Sequence, residues 1–170
     1  MAFTPTSGLV MGTRPGDLDP GLVVYLMRLE KLGADEMDAF ISSRCGLLGV
    51  SETSSDMRDM LARRKADIRA TDAVDLFCYQ AKKWIGAYAA ALGGVDTLIF
   101  SAGIGENAPE VRAQICAGLE FLGLQVDAAL NAGGGGIISP PGGQVTVRVI
   151  ATDEEIMIAS IVQGMVGTAE

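Results

Sequence analysis

A glycine-rich turn is the first feature of the sequence that could do chemistry. It follows the apolar run at residues 97–101 and reads Ala-Gly-Ile-Gly-Glu-Asn over residues 102–107. Glycine lets the backbone approach a nucleotide without a Cβ in the way, although tight packing alone gives the same pattern. A Rossmann dinucleotide site is a third alternative. Ala108 replaces the third glycine of that site, and Asp127 would have to be its ribose-binding acid.

An arginine between two glycines, Arg14, could bind a phosphoryl or carboxylate group. It lies in the segment at residues 12–20, after an apolar stretch and just before a predicted helix. The planar guanidinium can donate to two oxygens of such a group at once. The alternative is an ion pair with Asp17 or Asp19, and the spacing alone does not decide between these two roles.

Acidic side chains at the start of the last predicted helix could bind a cation. In the run Thr-Asp-Glu-Glu at residues 152–155, Thr152 and Glu155 form a capping-box pattern, which leaves Glu154 available. Mg²⁺ usually takes one or two carboxylates together with water and nucleotide phosphates, so a single glutamate can be enough. The alternative role for Glu154 is a favourable interaction with the helix dipole.

Strands and helices alternate along the chain in a way that can position these groups. We predict strands at residues 7–13, 97–101, 137–138 and 145–150, the last two joined as a hairpin. We predict helices from Pro20 to Gly33, over 34–41, from Ser54 or Ser55, over 73–92, from Asn107 to Gly123 and from Thr152. The alternation indicates an α/β layered domain, and 170 residues, 49% of them hydrophobic, are typical of one domain.

The composition excludes several kinds of site. A net charge of −8 without a Lys/Arg-rich face is evidence against nucleic acid as a partner. The absence of histidine excludes His-based zinc sites and Ser-His-Asp catalysis within the chain. The spacing of Cys45, Cys78 and Cys116 fits unreactive core thiols in a reducing cytoplasm. Glycines and Asp96 interrupt the most apolar stretch, so we expect no membrane span. The N-terminus lacks a basic region followed by an apolar core, so we expect no secretion signal.

Four separated motifs together resemble those of the acetate and propionate kinase family. They are Met-Gly-Thr-Arg-Pro-Gly-Asp-Leu-Asp-Pro at 11–20, Ser-Asp-Met-Arg-Asp at 55–59, Phe-Ser-Ala-Gly-Ile-Gly-Glu-Asn at 100–107 and Thr-Asp-Glu-Glu at 152–155. The resemblance covers the whole chain and points to the C-terminal domain of an acetate kinase. It implies the RNase H-like α/β fold of the sugar kinase, heat-shock ATPase and actin superfamily, with a mixed sheet flanked by helices. It also implies one domain over residues 1–170, with the family's N-terminal domain absent.

The resemblance implies roles for particular residues. Arg14 would stabilise the transition state of phosphoryl transfer, Pro5 would line the pocket for the acyl methyl group, and Glu154 would be the carboxylate associated with Mg²⁺. Met57 stands where the family usually has phenylalanine, and its alternative role is core filling. The residues expected to contact ATP or ADP are Asp56, Met57, Arg58, Gly103, Ile104, Gly105, Glu106 and Asn107.

Two hypotheses about function follow. In the first, the chain is the C-terminal half of a cytoplasmic acetate kinase. With its N-terminal half it would transfer a phosphoryl group reversibly from Mg-ATP to acetate or a related short carboxylate. The isolated half is expected to be inactive, because half a cleft cannot position both reactants. In the second, the chain is a stand-alone module that binds nucleotide or dimerises. The family also implies a homodimer, for which the apolar helices at 73–92 and 156–166 could serve.

Overall fold

The computed structural model describes residues 3–4 and 6–167 of the chain, and their contacts form two units. The first unit runs to Gly94 and includes Gln114–Ala117. The second contains Val95–Ala113 and continues from Gly118. The residues of each unit contact one another more often than they contact the other unit. The assignment of residues 1–170 to one domain stays a prediction.

The first unit is built from helices. They are α1 (Pro20–Glu30), α2 (Ala34–Ser43), α3 (Gly46–Ser51), α4 (Met57–Arg63) and α5 (Ile68–Leu92). Helices α3 and α4 pack against α5, and α1 packs against α2. The buried side chains of this unit include Leu47, Met60, Ala70, Ala73 and Val74.

The long helix α5 organises the first unit. It begins at Ile68 rather than at residue 73, because the Asp67 side chain accepts a hydrogen bond from the Arg69 amide and caps the helix earlier. It ends as predicted at Gly93, which takes the left-handed conformation with φ +79°. On α5 the ring of Trp84 stacks on Tyr88 at a centroid distance of 5.4 Å.

Residues 7–13 do not form the strand that their apolar character predicted. Their backbone groups bond to helices instead. The Val10 amide donates to Gln80 Oε1 of α5 at 2.6 Å, and the Met11 and Gly12 carbonyls accept from the Leu47 and Leu48 amides of α3. A segment whose backbone groups are satisfied in this way has no need of a partner strand.

The second unit holds a three-stranded mixed sheet. Its elements are β1 (Thr97–Phe100), α6 (Ala102–Asn107), α7 (Pro109–Cys116, whose last residues, from Gln114, belong to the first unit), a 3₁₀ turn (Glu120–Leu122), α8 (Ala128–Ala132), β2 (Gly136–Ile137), β3 (Thr146–Val149) and α9 (Glu154–Gly167). The strand order is β1-β3-β2, with β3 parallel to β1 and antiparallel to β2. Thr97 pairs with Thr146, and Ile137 pairs with Arg148. The predicted hairpin is confirmed, with shorter strands.

The helical region after the glycine turn is more broken than the sequence predicted. Pro109 disfavours a helical residue before it, so α6 and α7 are separate helices. Helix α7 ends at Cys116, and Gly118 follows with φ +82°. Helix α8 was not predicted. It is capped by Asp127, which accepts from the Ala129 and Leu130 amides. Asp127 therefore ends no strand, and the Rossmann alternative is wrong.

Burial raises the pKa of the Cys45 thiol, and raises that of Cys78 to about 11, which fits the predicted lack of reactivity.

Helix α9 exposes apolar side chains on every side, among them Ile156, Ile158 and Met165. In the part of the chain that the structure describes, no helix is long and apolar enough to cross a bilayer.

Replacing Gly46 with alanine should destabilise the loop that carries Arg14. Gly46 has φ +66°, and a Cβ there would lie 2.2 Å from the Met11 carbonyl oxygen and 2.7 Å from the Arg14 nitrogen. We expect Gly46→Ala to lower the free energy of unfolding by about 2–4 kcal/mol, through left-handed strain and overpacking. Urea denaturation measures this change.

The matched control is Gly86→Ala in the middle of α5, where nothing lies within 4 Å of the added Cβ. Alanine forms helix more readily than glycine, so this variant should be more stable by about 0.5–1 kcal/mol. Equal effects of the two substitutions would contradict the prediction.

Candidate functional site

The loop that carries Arg14 lies on the N-terminus of α3. The amides of Cys45, Leu47 and Leu48 donate to the carbonyls of Thr13, Met11 and Gly12 at 2.9–3.0 Å. The first amides of a helix have no partner within the helix, so the loop carbonyls satisfy them. These hydrogen bonds fix the backbone just before Arg14, and the Met11 amide donates to the Arg14 carbonyl at 3.0 Å.

The Arg14 guanidinium does not take part in the ion pairs that were its alternative role. Asp17 accepts hydrogen bonds from Ser7 Oγ and the Gly8 amide, and Asp19 caps α1 by accepting from the Gly21 amide. Arg14 is half-buried, and within the described ranges its guanidinium makes neither a hydrogen bond nor an ion pair. A cation left in this state can bind an anionic group.

Asp56 and Arg58 form a local ion pair at the start of α4. Asp56 caps the helix through the Arg58 amide at 2.8 Å, and its carboxylate also accepts from the Arg58 guanidinium at 2.6 Å. These hydrogen bonds hold the pKa of Asp56 at about 2. The cap is Asp56 and not the predicted Ser54 or Ser55, since Ser54 Oγ bonds to the Asp56 amide and the Asp59 carboxylate.

Met57 points into the core. Its side chain is 4% exposed, beside buried Met60 on the same helix. This burial is what core filling predicts. Of the other two residues expected to contact the nucleotide in this motif, Arg58 is exposed and Asp56 is half-buried. Pro5, the residue implied for the acyl pocket, lies outside the described residues.

The two glycines of the turn at residues 102–107 have different surroundings. A Cβ on Gly105 would lie 3.3 Å from the Phe100 backbone, so this glycine allows tight packing on β1. A Cβ on Gly103 would meet nothing within 4 Å, so its backbone is open to a ligand. The preceding Ala102 has φ +58°, a strained conformation for a residue other than glycine. Asn107 Nδ2 donates to the Gly103 carbonyl at 2.9 Å and closes the turn.

Glu106 connects this turn to the start of α9. Its carboxylate accepts from the Thr152 amide at 3.0 Å and from Thr152 Oγ1 at 3.2 Å. The predicted capping box of Thr152 and Glu155 is therefore wrong. Thr152 is bonded to Glu106, and Asp153 caps the helix through the Ile156 amide. Glu154 is exposed at the first position of α9.

Among the described residues, no cluster of three or more acidic or cysteine side chains could hold a metal ion. A cation at Glu154 would need most of its ligands from a nucleotide and water, as the sequence predicted for Mg²⁺. An acidic residue in the first turn also complements the helix dipole, and the exposed Glu154 carboxylate suits both roles.

One residue of the site region was missed from the sequence. Arg112 of α7 is 1% exposed and donates to the carbonyls of Gly105 and Glu106 at 2.8 and 2.9 Å. An arginine within the apolar stripe formed by Val111 and Ile115 was the only sequence signal for this contact.

The structure brings the predicted motifs together in pairs. In the first unit, Gly12 of the Arg14 loop approaches the Ser55 carbonyl, next to Asp56, so closely that a Cβ would lie 3.1 Å away. In the second unit, Glu106 joins the glycine turn to the residue two positions before Glu154. Each unit therefore contains two of the four motifs in contact.

The Asp56 carboxyl should titrate well below an ordinary aspartate. Because its folded pKa of about 2 is depressed, its contribution to stability is complete above the unfolded pKa of about 3.9 and is lost as the pH falls through about 2. In carboxyl ¹³C NMR, Arg58→Gln should raise the midpoint toward about 3.9. Arg63→Gln at the other end of α4 should leave it unchanged. A midpoint that stays near its wild-type value in Arg58→Gln would exclude the guanidinium as the cause.

Comparisons with known proteins agree on one family. A family model described as the Acetokinase family matches residues 1–160. The chain is 48% identical over 164 residues to the acetate kinase of Solibacter usitatus, covering 94% of this chain and 40% of that protein.

Solved structures show the same similarity. The crystal structure of Porphyromonas gingivalis acetate kinase matches with a TM-score of 0.91 and 44% identity, covering 98% of this chain and 43% of that one. A propionate kinase from Francisella tularensis matches with a TM-score of 0.86 and 34% identity, covering 94% of this chain and 41% of that one. The chain thus spans about two fifths of the length of the relatives it matches.

Proposed function

We propose, from the premise that the chain belongs to the acetokinase family, that it forms the nucleotide- and Mg²⁺-binding part of a cytoplasmic carboxylate kinase. The family match confirms the resemblance drawn from the motifs, and the solved structures confirm the α/β fold class. The proposed reaction is reversible phosphoryl transfer from ATP to acetate or a related short carboxylate, giving acetyl phosphate and ADP. The other wall of the cleft comes from the part of the family's length that this chain does not span.

The observation that carries the proposal is the open backbone at Gly103. The turn follows the end of a sheet strand, its Gly103 face has no neighbour within 4 Å, and Asn107 closes it. In open α/β sheets, ligands bind in the crevice beyond the carboxyl ends of the strands. Phosphate oxygens can approach such a backbone where any other residue type would place a Cβ.

Arg14 supplies the cation that the reaction needs. In phosphoryl transfer, charge spreads over the equatorial oxygens, and a donor already held in place lowers the barrier without reorganising. Helix α3 holds the backbone just before Arg14, and the Met11 amide donates to the Arg14 carbonyl. Neither Asp17 nor Asp19 neutralises the Arg14 side chain. Asp56 and Arg58 offer polar contacts to the nucleotide from the same unit.

Glu154 is the residue that would hold Mg²⁺ together with nucleotide phosphates. The ion, when bound, neutralises charge on the transferring phosphates. The chain's own contribution is to place the carboxylate, and the contact of Glu106 with Thr152 links that position to the glycine turn.

We also propose a homodimer. Apolar side chains are exposed on α5, with Tyr79 and Tyr88 at 65% and 60%, and on α9, with Ile156 at 63%. Exposed apolar surface of this extent usually marks a contact with another protein surface. A monomer in light scattering at micromolar concentration would remove this part of the proposal.

Substitution of Arg14 tests the catalytic proposal. In an acetate-dependent hydroxamate assay on the natural-length protein that carries this chain, Arg14→Ala should lower kcat by about 10²–10³-fold, as loss of one preorganised transition-state donor does. The KM for Mg-ATP should change little. Exposed Arg44→Ala, on the adjoining helix end, should have wild-type kinetics. Equal activity of Arg14→Ala and Arg44→Ala would reject the assignment. Wild type without acetate-dependent turnover, but with Mg-ADP binding in calorimetry, would favour the non-catalytic module.

Comparing substitutions of Glu154 and Glu155 distinguishes a metal-binding role of Glu154 from a helix-dipole role. Both are exposed in the first turn of α9. If Glu154 binds the ion, Glu154→Gln should raise the Mg²⁺ concentration for half-maximal activity about tenfold or more, while Glu155→Gln leaves it unchanged. A dipole role predicts the same small change in both variants, and that result would overturn the metal assignment.

A further inference from the structure

Arg112 is a buried cation in the second unit that the proposed reaction does not use directly. Four hydrogen bonds hold its guanidinium. Nη1 donates to the carbonyls of Gly105 and Glu106 at 2.8 and 2.9 Å, Nη2 donates to the Asn131 carbonyl at 2.8 Å, and Nε donates to Asn131 Oδ1 at 2.7 Å. The residue is 1% exposed, and Asn131 is 5% exposed.

All four acceptors are neutral oxygens. Among the residues that the structure describes, no carboxylate forms an ion pair with Arg112. Burying a charge without a counter-charge is costly, and this desolvation lowers the pKa of Arg112. An apolar side chain would fill the same space without that cost, so core filling alone does not explain an arginine here.

The direction of the hydrogen bonds gives the explanation. The Gly105 and Glu106 carbonyls belong to the last turn of α6, where carbonyls have no partner within the helix and carry partial negative charge. The guanidinium binds both carbonyls at once. It therefore fixes one end of the turn at residues 103–107 while the Gly103 end stays open.

Asn131 holds the guanidinium in that orientation. Its Nδ2 donates to the Pro109 carbonyl at 2.8 Å, so its Oδ1 must face Arg112 Nε. Since Pro109 begins α7 and Asn131 lies in α8, the pair ties α6, α7 and α8 to one arrangement.

We propose that Arg112, oriented by Asn131, is a positioning residue that sets the turn at residues 103–107 for the nucleotide. This inference rests on the proposed function in assigning the nucleotide to that turn. A displacement of the turn by about 1 Å would be enough to weaken nucleotide binding strongly.

The test compares Arg112→Met, which keeps most of the volume and loses every donor, with Val111→Ala, its neighbour on α7 that is 1% exposed. Both remove core interactions, but only the first releases α6. In the natural-length protein we expect Arg112→Met to raise the KM for Mg-ATP about 10- to 100-fold and to change the KM for acetate less than about twofold. Arg112→Lys keeps a positive charge but not the planar fork of donors, so its KM for Mg-ATP should lie between those of the wild type and Arg112→Met. Val111→Ala should change neither KM.

Hydrogen exchange gives a readout that does not depend on nucleotide. Peptides covering residues 103–107 should exchange faster in Arg112→Met than in Val111→Ala at matched unfolding free energy. Equal exchange in the two variants, or a KM for Mg-ATP that does not change in Arg112→Met, would overturn the inference. If the wild type neither turns over acetate nor binds Mg-ADP, the proposed function fails and the nucleotide role of Arg112 fails with it. The exchange data would then decide separately whether Arg112 holds the turn.

Discussion

The hydrogen-bond requirement of one desolvated guanidinium governs the second unit. Arg112 can stay charged in the interior only while the ends of α6 and α8 present their carbonyls to it. Those helices are consequently held in one arrangement, and α6 begins with Ala102 in a strained conformation, φ +58°. The contact of Glu106 with Thr152 extends the same arrangement to the start of α9. Strain at the turn persists because its surroundings determine it from several sides.

In the first unit, hydrogen bonds between neutral backbone groups hold the loop that carries Arg14. The first amides of α3 have no partner within the helix and donate to the Met11 and Gly12 carbonyls, so the loop before Arg14 is held although it has no regular secondary structure. In both units, hydrogen bonds at helix ends hold the backbone that carries the groups proposed to act. The described ion pairs, Arg58 with Asp56, Arg64 with Asp75 and Arg69 with Glu52, are largely exposed, so water and salt screen them and they add little to stability.

Features set by neighbouring residues could be predicted from the sequence, and features set by distant contacts could not. The end of α5 at Gly93, the hairpin of β2 and β3, and the family motifs all depend on local signals. The strand expected at residues 7–13 was wrong because Gln80 and α3 satisfy its backbone. The capping box was wrong because Glu106 takes Thr152. Arg112 was missed since its partner Asn131 lies elsewhere in the chain, and no periodicity indicates a buried charge.

The stacked Trp84 has a spectroscopic consequence. It is the single tryptophan of the chain, it lies on α5 in the first unit, and its indole nitrogen finds no hydrogen-bond partner among the described residues. An indole in such surroundings emits at shorter wavelength than one in water. Intrinsic fluorescence therefore reports on the unit that contains Arg14 and is silent about the unit that contains the glycine turn. Comparing emission with a probe of the whole backbone would reveal whether the two units melt as one cooperative structure.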